Sequence, residues 1–586
     1  MDRVLRSLGW MGFYQKVQFV LLMVPVIDIS FHIMSFIFLG RVFEHKCTEM
    51  DIPRSYFQNS SDDVMTVTYG KCAVTVTNQS EEVFSSKCVN GYEYSEPRER
   101  SFVSEWDLVC EKGALAEVSQ TFMSIGMMVG SSFMMTLADK YGRKPVYVVS
   151  HVLYFFTSVA TAFAPTFTTL LGFKLAHGTF HQGTGLTSAI MLAELLPTER
   201  RAFPSQVGCL VWPSGLLCLG IICYLCRELS WRTTELVLAV FSCYSLLQWW
   251  LVEESLRWLD VQGKSDRAEQ LIQKAAKRNK VNSNVVLRTY REDTQKLLTT
   301  PQELTSLSTN GTKETHQIPT GKQSAGVGHQ LDSSSSENGG EIGNKRHGKE
   351  LSFSTFLMNR SILLRVAVSC YMWFTDSMAY YGLLMISPSL ADGFYLGYFL
   401  NVLVELPAGV ALATLINRIG RRRCMIVSHL IGGFALGTAV LLSNIPGEVE
   451  IPGSKSIILT LSLLGKFGIS LGFGALFVYT PELFPTTIRS TGFGISSVAA
   501  RLGGMIAPYS RTLQRHLPWV PGTVFAALAL VVPVLVMLLP ETHGHELPQT
   551  VSDMEQKAKP VSLQRSPMVV GLSIRRREDT DIEVLT

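Results

Sequence analysis

The chain has 586 residues, of which 47% are hydrophobic and only 17% charged, and its mean hydropathy is +0.21. A soluble protein of this length would divide into several domains and carry more charge. The formal net charge of +4 is too small to serve a nucleic-acid surface.

Residues 1–16 form a short N-terminus. The first apolar run, 17–39, is too long for a signal-peptide core and ends without a small-residue cleavage site, so it reads as a retained first span. A polar loop, 40–114, follows. It holds Cys47, Cys72, Cys88 and Cys110, which allow three pairings. It also holds the sequons at Asn59 and Asn78, and together these features indicate an oxidising, extracellular side.

Further apolar runs occupy 115–137, 146–165, 167–192, 207–226 and 234–252. A second set occupies 362–387, 393–416, 424–443, 456–479, 490–510 and 519–540. Each is long enough to cross about 30 Å of hydrocarbon as a helix. The pattern predicts an all-α membrane protein with twelve transmembrane helices in two six-helix bundles, 17–252 and 362–540. Basic residues collect in the short loops "DKYGRKP" (139–145), Glu199-Arg200-Arg201 and "NRIGRRR" (417–423). An even number of spans puts these loops, and both termini, in the cytoplasm.

Between the bundles, 253–361 reads as a cytoplasmic linker. Its "SDRAEQLIQKAAKRN" has an acidic start, apolar spacing of three and four, and a basic end, which predicts an amphipathic helix. From about 300 to 350 the composition turns to Ser, Thr, Gly, Asn and Gln, as in disordered linkers. A polar cytoplasmic tail, 541–586, ends the chain.

The halves echo each other. "ADKYGRKP" after span two matches "NRIGRRR" after span eight, "AELLPTERRAF" matches "PELFPTTIRSTG", and "VEESLRWL" matches "LPETHG". Parallel repeats around a central site are a transporter arrangement. The matched loops give Asp139, Gly142, Arg143, Glu194, Arg200, Arg418, Glu482 and Arg489 a gating reading. Glycine permits a tight turn, and the charges hold one side closed until it opens.

These motifs resemble the major facilitator superfamily. With "SEWDLVC", "WFTDSMAYYGL", "LVELPAG" and "AARLGGMIAP", they resemble the organic ion transporters of solute carrier family 22. The resemblance runs from about residue 10 to 545. It departs at Asn417, where Asp is usual, at Lys174, where Arg is usual, at Glu253, where Pro is usual, and in the longer middle insertion. The resemblance implies the major facilitator fold and a plasma-membrane carrier, secondary-active or facilitative, that moves small organic ions by alternating access, with organic anions or zwitterions such as carnitine as the expected substrates. Its partners would be the substrate, the lipid bilayer and a coupling or exchange ion. The alternatives are an organic cation transporter and a non-transporting receptor on the same fold. No metal set, nucleophile triad, phosphate loop, cofactor motif or nucleic-acid module stands in the sequence, so no enzyme, cofactor, metal or nucleic-acid partner is expected.

Asp28, Lys174, Asp376, Glu405, Lys466 and Arg501 fall midway through their spans. Charges at that depth cost several kcal/mol, about 2.5–3.5 each on insertion scales, unless paired or hydrated. They therefore mark a polar interior as substrate-binding candidates, or pair with one another. The resemblance implies that the helix-eleven position of Arg501 is basic in anion and carnitine carriers. Arginine's planar fork suits a carboxylate. Glu405 faces an ammonium or pairs internally, and Asp376 attracts a cation or pairs with a neighbouring base. Trp373, Tyr380 and Tyr381 are expected on the cavity wall, where rings bind bulky organic groups. His177 and His181 share a helix face with Lys174 and read either as a proton relay or as packing histidines.

Overall fold

The computed structural model describes residues 1–50, 65–78, 81–201, 203–294, 359–444, 453–485 and 488–544. Asn59, the polar stretch 300–350 and the tail beyond 544 lie outside the described residues.

A short α1 (Asp2–Ser7) precedes α2 (Phe13–Met34), which continues after a break at Ser35 to Leu39. The rest of the first half is α3 (Leu115–Tyr141), α4 (Arg143–Ala162), α5 (Phe167–Leu195), α6 (Phe203–Leu225) and α7 (Trp231–Val240). The linker opens with α8 (Leu256–Val261) and α9 (Ser265–Asn279). The second half is α10 (Arg360–Ile386), α11 (Phe394–Leu403), α12 (Glu405–Leu415), α13 (Arg421–Ser443), α14 (Ser454–Leu483), α15 (Arg489–Ile506), α16 (Tyr509–His516) and α17 (Trp519–Val536).

Among the described residues, nine helices are long and apolar enough to cross a membrane. The expected fourth, seventh and eleventh spans coincide with α5, α10 and α15, which fall outside that set. They carry Lys174, His177 and His181, Arg365 and Asp376, and Arg501. Helices facing a polar interior give up apolar residues, so low hydropathy here is a mark of position.

Local chemistry sets several boundaries. Thr166 caps α5 by accepting from the N–H of Thr169 at 3.2 Å, and Ser230 caps α7 from Thr233. Pro407 cannot donate to the carbonyl four residues back, and the expected eighth span divides into α11 and α12 just before it. The expected sixth span, 234–252, stops as a helix at Val240 and passes through a 3-10 turn, Cys243–Leu247. Close helix approach needs small residues. A Cβ on Gly126 of α3 would strike the backbone of Leu175 on α5, and one on Gly130 the backbone of Thr179.

The cysteine loop adds strands that the all-helical expectation did not include. They are β1 (His45–Cys47), β2 (Met65–Tyr69), β3 (Ala73–Asn78), β4 (Glu81–Lys87) and β5 (Tyr92–Tyr94). β2, β3 and β4 form an antiparallel sheet in that order, with Tyr69 opposite Val74 and Val76 opposite Phe84. Val74 and Val76 are fully buried, as alternation along a pleated strand requires. β1 pairs with β5. Of the three possible pairings, the disulfides are Cys47–Cys88 and Cys72–Cys110. Asn78 closes β3.

At the opposite end, α1, α8 and α9 pack into one apolar cluster. Ala268, Leu271, Ile272 and Ala275 of α9 are buried at the spacing the sequence predicts. Asn279 ties this cap to the first half. Its amide donates to the carbonyl of Leu8 at 2.8 Å and to Gln15 at 2.7 Å, and its oxygen accepts from the N–H of Tyr14.

Candidate functional site

A narrow cleft lies between the halves, lined by α2, α3, α10 and α15. Gln120, Ser124, Met127, Tyr381 and Arg501 present its polar and polarisable groups. It has room for about one water molecule, so a substrate enters only if the halves part. Arg501 is half-buried here. Its Nη1 lies 3.9 Å from the Met127 sulfur, and its Nε has no hydrogen-bond partner. Tyr381 stands edge-on to Tyr380, with centroids 5.3 Å apart.

Glu405, Lys466 and Tyr380 satisfy one another instead of facing the cleft. Lys466 Nζ lies 2.9 Å from the Glu405 carboxylate and 3.5 Å from the centre of the Tyr380 ring, and it donates to the Tyr380 carbonyl at 3.2 Å. The Tyr380 hydroxyl donates to Glu405 at 2.5 Å and accepts from Trp212 Nε1, on α6 of the other half, at 2.8 Å. Trp373 turns into the core of the second half. Its indole donates to Thr480 at 2.9 Å and its ring meets Phe473, Phe477 and Phe493. The expected place on the cavity wall is corrected for this residue, because α14 and α15 supply an aromatic niche behind α10.

Asp28 and Asp376 have partners that the sequence reading did not name. Asp376 meets His429 Nε2 at 2.7 Å, and both side chains are fully enclosed. Asp28 meets His151 Nε2 at 3.3 Å and accepts from Ser242 at 2.6 and 2.7 Å. The break after α7 brings Ser242 inward. Lys174, 7% exposed, lies one turn from His177 on α5. His32 lies 3.3 Å from Glu235 and 3.9 Å from Asp28. The ring of His177 lies 4.9 Å from that of His32.

The expected gating residues assemble as two matched constellations. Gly142 turns from α3 to α4 at φ +118°, and Gly420 from α12 to α13 at φ +92°, both in the region that favours glycine. Arg143 pairs with Asp139 at 2.9 Å and Glu194 at 3.4 Å. The Glu254 carboxylate accepts from the N–H groups of Arg143 and Lys144 at 3.0 and 3.1 Å. In the second half Arg421 pairs with Glu482 at 3.1 Å, and Glu541 accepts from the N–H groups of Arg421 and Arg422 at 2.9 and 3.2 Å. These carboxylates answer the orphan donors and positive dipole of a helix start. Burial pushes the Glu541 carboxyl up, but hydrogen bonds from four backbone N–H groups hold it below its usual value.

Two expected gate residues stand elsewhere. Arg418 is exposed, and Arg421 takes its place, because the arginine that matches Arg143 directly follows the turn glycine. Arg200 is exposed and lies over the Trp10 ring at 4.9 Å. Arg201 is the position that matches Arg489 in the repeat. Arg489 donates weakly to the Phe484 carbonyl at 3.4 Å.

The halves also meet at the end that carries the disulfide-bonded loop. Glu117 of α3, fully buried, pairs with Arg511 of α16 at 3.1 Å, and Arg511 donates to the Gly40 carbonyl at 2.7 Å. Tyr395 and Tyr398 donate to the carbonyls of Cys223 and Leu216.

Several of these residues left a readable trace. Val149-Ser150-His151 and Val427-Ser428-His429 repeat the same tripeptide, each histidine eight residues after the motif arginine. Glu235 is a charge inside an expected span. Trp212 left no signal, since its partner is set only by docking of the halves.

The chain matches the model of the Major Facilitator Superfamily over residues 113–508. It is similar to "Solute carrier family 22 member 21" of Mus musculus, 27% identical over 95% of this chain and 94% of the relative. Organic anion transporter 3 of Oryctolagus cuniculus is 28% identical, over 94% of this chain and 93% of the relative. Organic cation/carnitine transporter 2 of Homo sapiens is 27% identical over the same shares. Among solved structures, the partially occluded inward open xylose transporter XylE from E. coli is similar in fold. Its TM-score is 0.54 at 14% identity, over 90% of this chain and 99% of that one.

Proposed function

The chain belongs to the Major Facilitator Superfamily, and from that premise we propose that it carries small organic anions or zwitterions across the plasma membrane by alternating access. Transport of organic ions is supported by the relatives, whose names cover anions, cations and carnitine.

The choice of anion or zwitterion rests on Arg501. It faces the cleft between the halves with its Nε unpartnered and only a methionine sulfur against its Nη1. A guanidinium so placed has its fork free for a carboxylate or sulfate. Glu405, the group best suited to an ammonium, is already held by Lys466 and Tyr380, which weighs against a cation. Tyr381 and the methionines of the cleft offer area and polarisability to an organic body. The clasp of Glu117 and Arg511 at the loop end fits a carrier closed on that side. With the loop outside and both termini inside, that is the state before inward release.

Uptake in cells expressing the chain, against mock cells, tests this reading. The panel is carnitine, urate, estrone sulfate, tetraethylammonium and glucose, with Arg501→Ala alongside. Uptake of a carboxylate, sulfate or zwitterion that falls by about tenfold or more in R501A is the expected result, since losing a charge-assisted contact costs about 1.5–3 kcal/mol. Tetraethylammonium uptake indifferent to R501A overturns it.

A further inference from the structure

We propose that the histidine cluster inside the first half is a proton site coupled to the occupancy of Arg501, making the carrier a symporter of one proton with one monovalent anion. The inference rests on the anion reading above.

The cluster spans four helices. Asp28 and His32 come from α2, His151 from α4, Lys174, His177 and His181 from α5, and Glu235 from α7. All are at least nine-tenths buried. They form a chain. His151 meets Asp28 at 3.3 Å, and His32 lies between Asp28 and Glu235. The His177 ring stands beside His32, and one turn on along α5 both ring nitrogens of His181 are buried without a hydrogen-bond partner. One Glu235 oxygen, Oε2, has no hydrogen-bond partner. The tyrosines facing the cluster, Tyr147, Tyr154 and Tyr244, are phenols and contribute no charge near neutrality.

Charge balance carries the argument. With neutral histidines, the two carboxylates outweigh the single ammonium of Lys174, leaving one net negative charge. A low-dielectric interior tolerates that poorly. Histidine is the side chain that takes up a proton near physiological pH. Arg501 is the cation across the cleft. It can be balanced by the unprotonated cluster, or by a bound anion while the cluster holds a proton. Proton and anion therefore bind together and leave together, and the interior stays neutral in both states.

The second half supplies an internal control. His429 Nδ1 lies 2.9 Å from the Met425 carbonyl, which only accepts, so Nδ1 carries a hydrogen. A further proton must then sit between Nε2 and Asp376. That pair is self-balanced, and among the described residues no further ion pair leads from it to the cleft. Glu405 and Lys466 likewise balance each other.

The test uses the full chain in phosphatidylcholine vesicles enclosing a pH dye, with estrone sulfate as the anion probe and carnitine, which carries no net charge, as a second probe of transport alone. Anion uptake should acidify the lumen, and a one-unit pH gradient should change accumulation by about tenfold. Asp28→Asn and His177→Gln should lower the protons moved per anion. Asp376→Asn should keep that ratio, whatever it does to yield. Anion uptake without acidification, unaltered by D28N and H177Q, overturns the proton site and leaves the transport reading standing. Failure of every probe overturns the transport reading, and melting of the purified chain then decides the proton site. The melting temperature should change between about pH 5.5 and about pH 7.5, and Glu235→Gln should remove most of that change. An identical response in E235Q overturns the proton site.

Discussion

Asp376 Oδ1 lies 2.7 Å from Nε2 of His429, and neither side chain reaches solvent. That contact accounts for a carboxylate among the rings of α10. It is a structural pair inside one half, set against α13 and backed by the Met425 carbonyl. Asp376→Ala leaves a buried imidazole without its counter-charge. Breaking such a pair costs about 3–5 kcal/mol, so D376A should melt well below wild type in detergent. An unchanged melting temperature would return Asp376 to the substrate contacts.

Glu405 and Lys466 make the same argument with a sharper control. Glu405→Gln strands an ammonium that is fully buried beneath the Tyr380 ring, and a loss of about 3–5 kcal/mol is expected. Replacing both partners by leucine and methionine removes charge and partner together, and should recover at least half of the loss in melting temperature. If the double variant melts no higher than E405Q, the pair is not what the single substitution disrupted.

Glu117 and Arg511 clasp the halves at the loop end. Glu117→Arg places two cations together and should favour the state open at that end. A membrane-impermeant thiol reagent should then label a cysteine placed at Met385 on the cleft wall faster from outside than in the parent. Arg511→Glu in the same chain restores an opposite-charge pair and should slow labelling again. Additive rates in the double variant would show that the two residues act independently.

The sequence carried the fold through patterns that survive without knowledge of neighbours. Apolar runs marked the nine helices that, among the described residues, are long and apolar enough to cross a membrane, and the three-and-four spacing of α9 marked its buried face. The cysteine loop was only half legible. Its Val74 and Val76 alternate with threonine as strands do, but so short an alternation is a weak signal beside the long apolar runs. Pairing across the fold was the hidden part. His151 is 123 residues from Asp28 and His429 is 53 from Asp376, and only packing decides which charges meet. Trp373 is a similar case. Helical spacing put it on α10 but not on the side that faces Phe477.

The turn glycines and their capping carboxylates give the last prediction. A Cβ on Gly142 would meet the Glu254 carboxylate and the Trp258 ring, and one on Gly420 would meet the Glu541 carboxylate. Both glycines also hold positive φ, so Gly142→Ala or Gly420→Ala should cost about 1–3 kcal/mol in strain. The acid limb of stability follows from the same carboxylates. Burial opposes ionisation of Glu541, yet its four backbone donors win and the folded pKa lies below the ordinary 4.5. Asp2 behaves alike. Burial raises it, but hydrogen bonds from Thr198 and Arg257 hold it below 3.8. A lowered carboxylate stabilises the fold above its unfolded pKa, and that stability is lost as pH falls through the folded value. Melting temperature should therefore hold steady as far as Glu541 and Asp2 are concerned from neutrality to about pH 5, then fall below about pH 4. Glu541→Gln should flatten that fall while lowering stability at neutral pH. An unchanged acid limb in E541Q would mean that the charge of Glu541 adds nothing to the cap of α13.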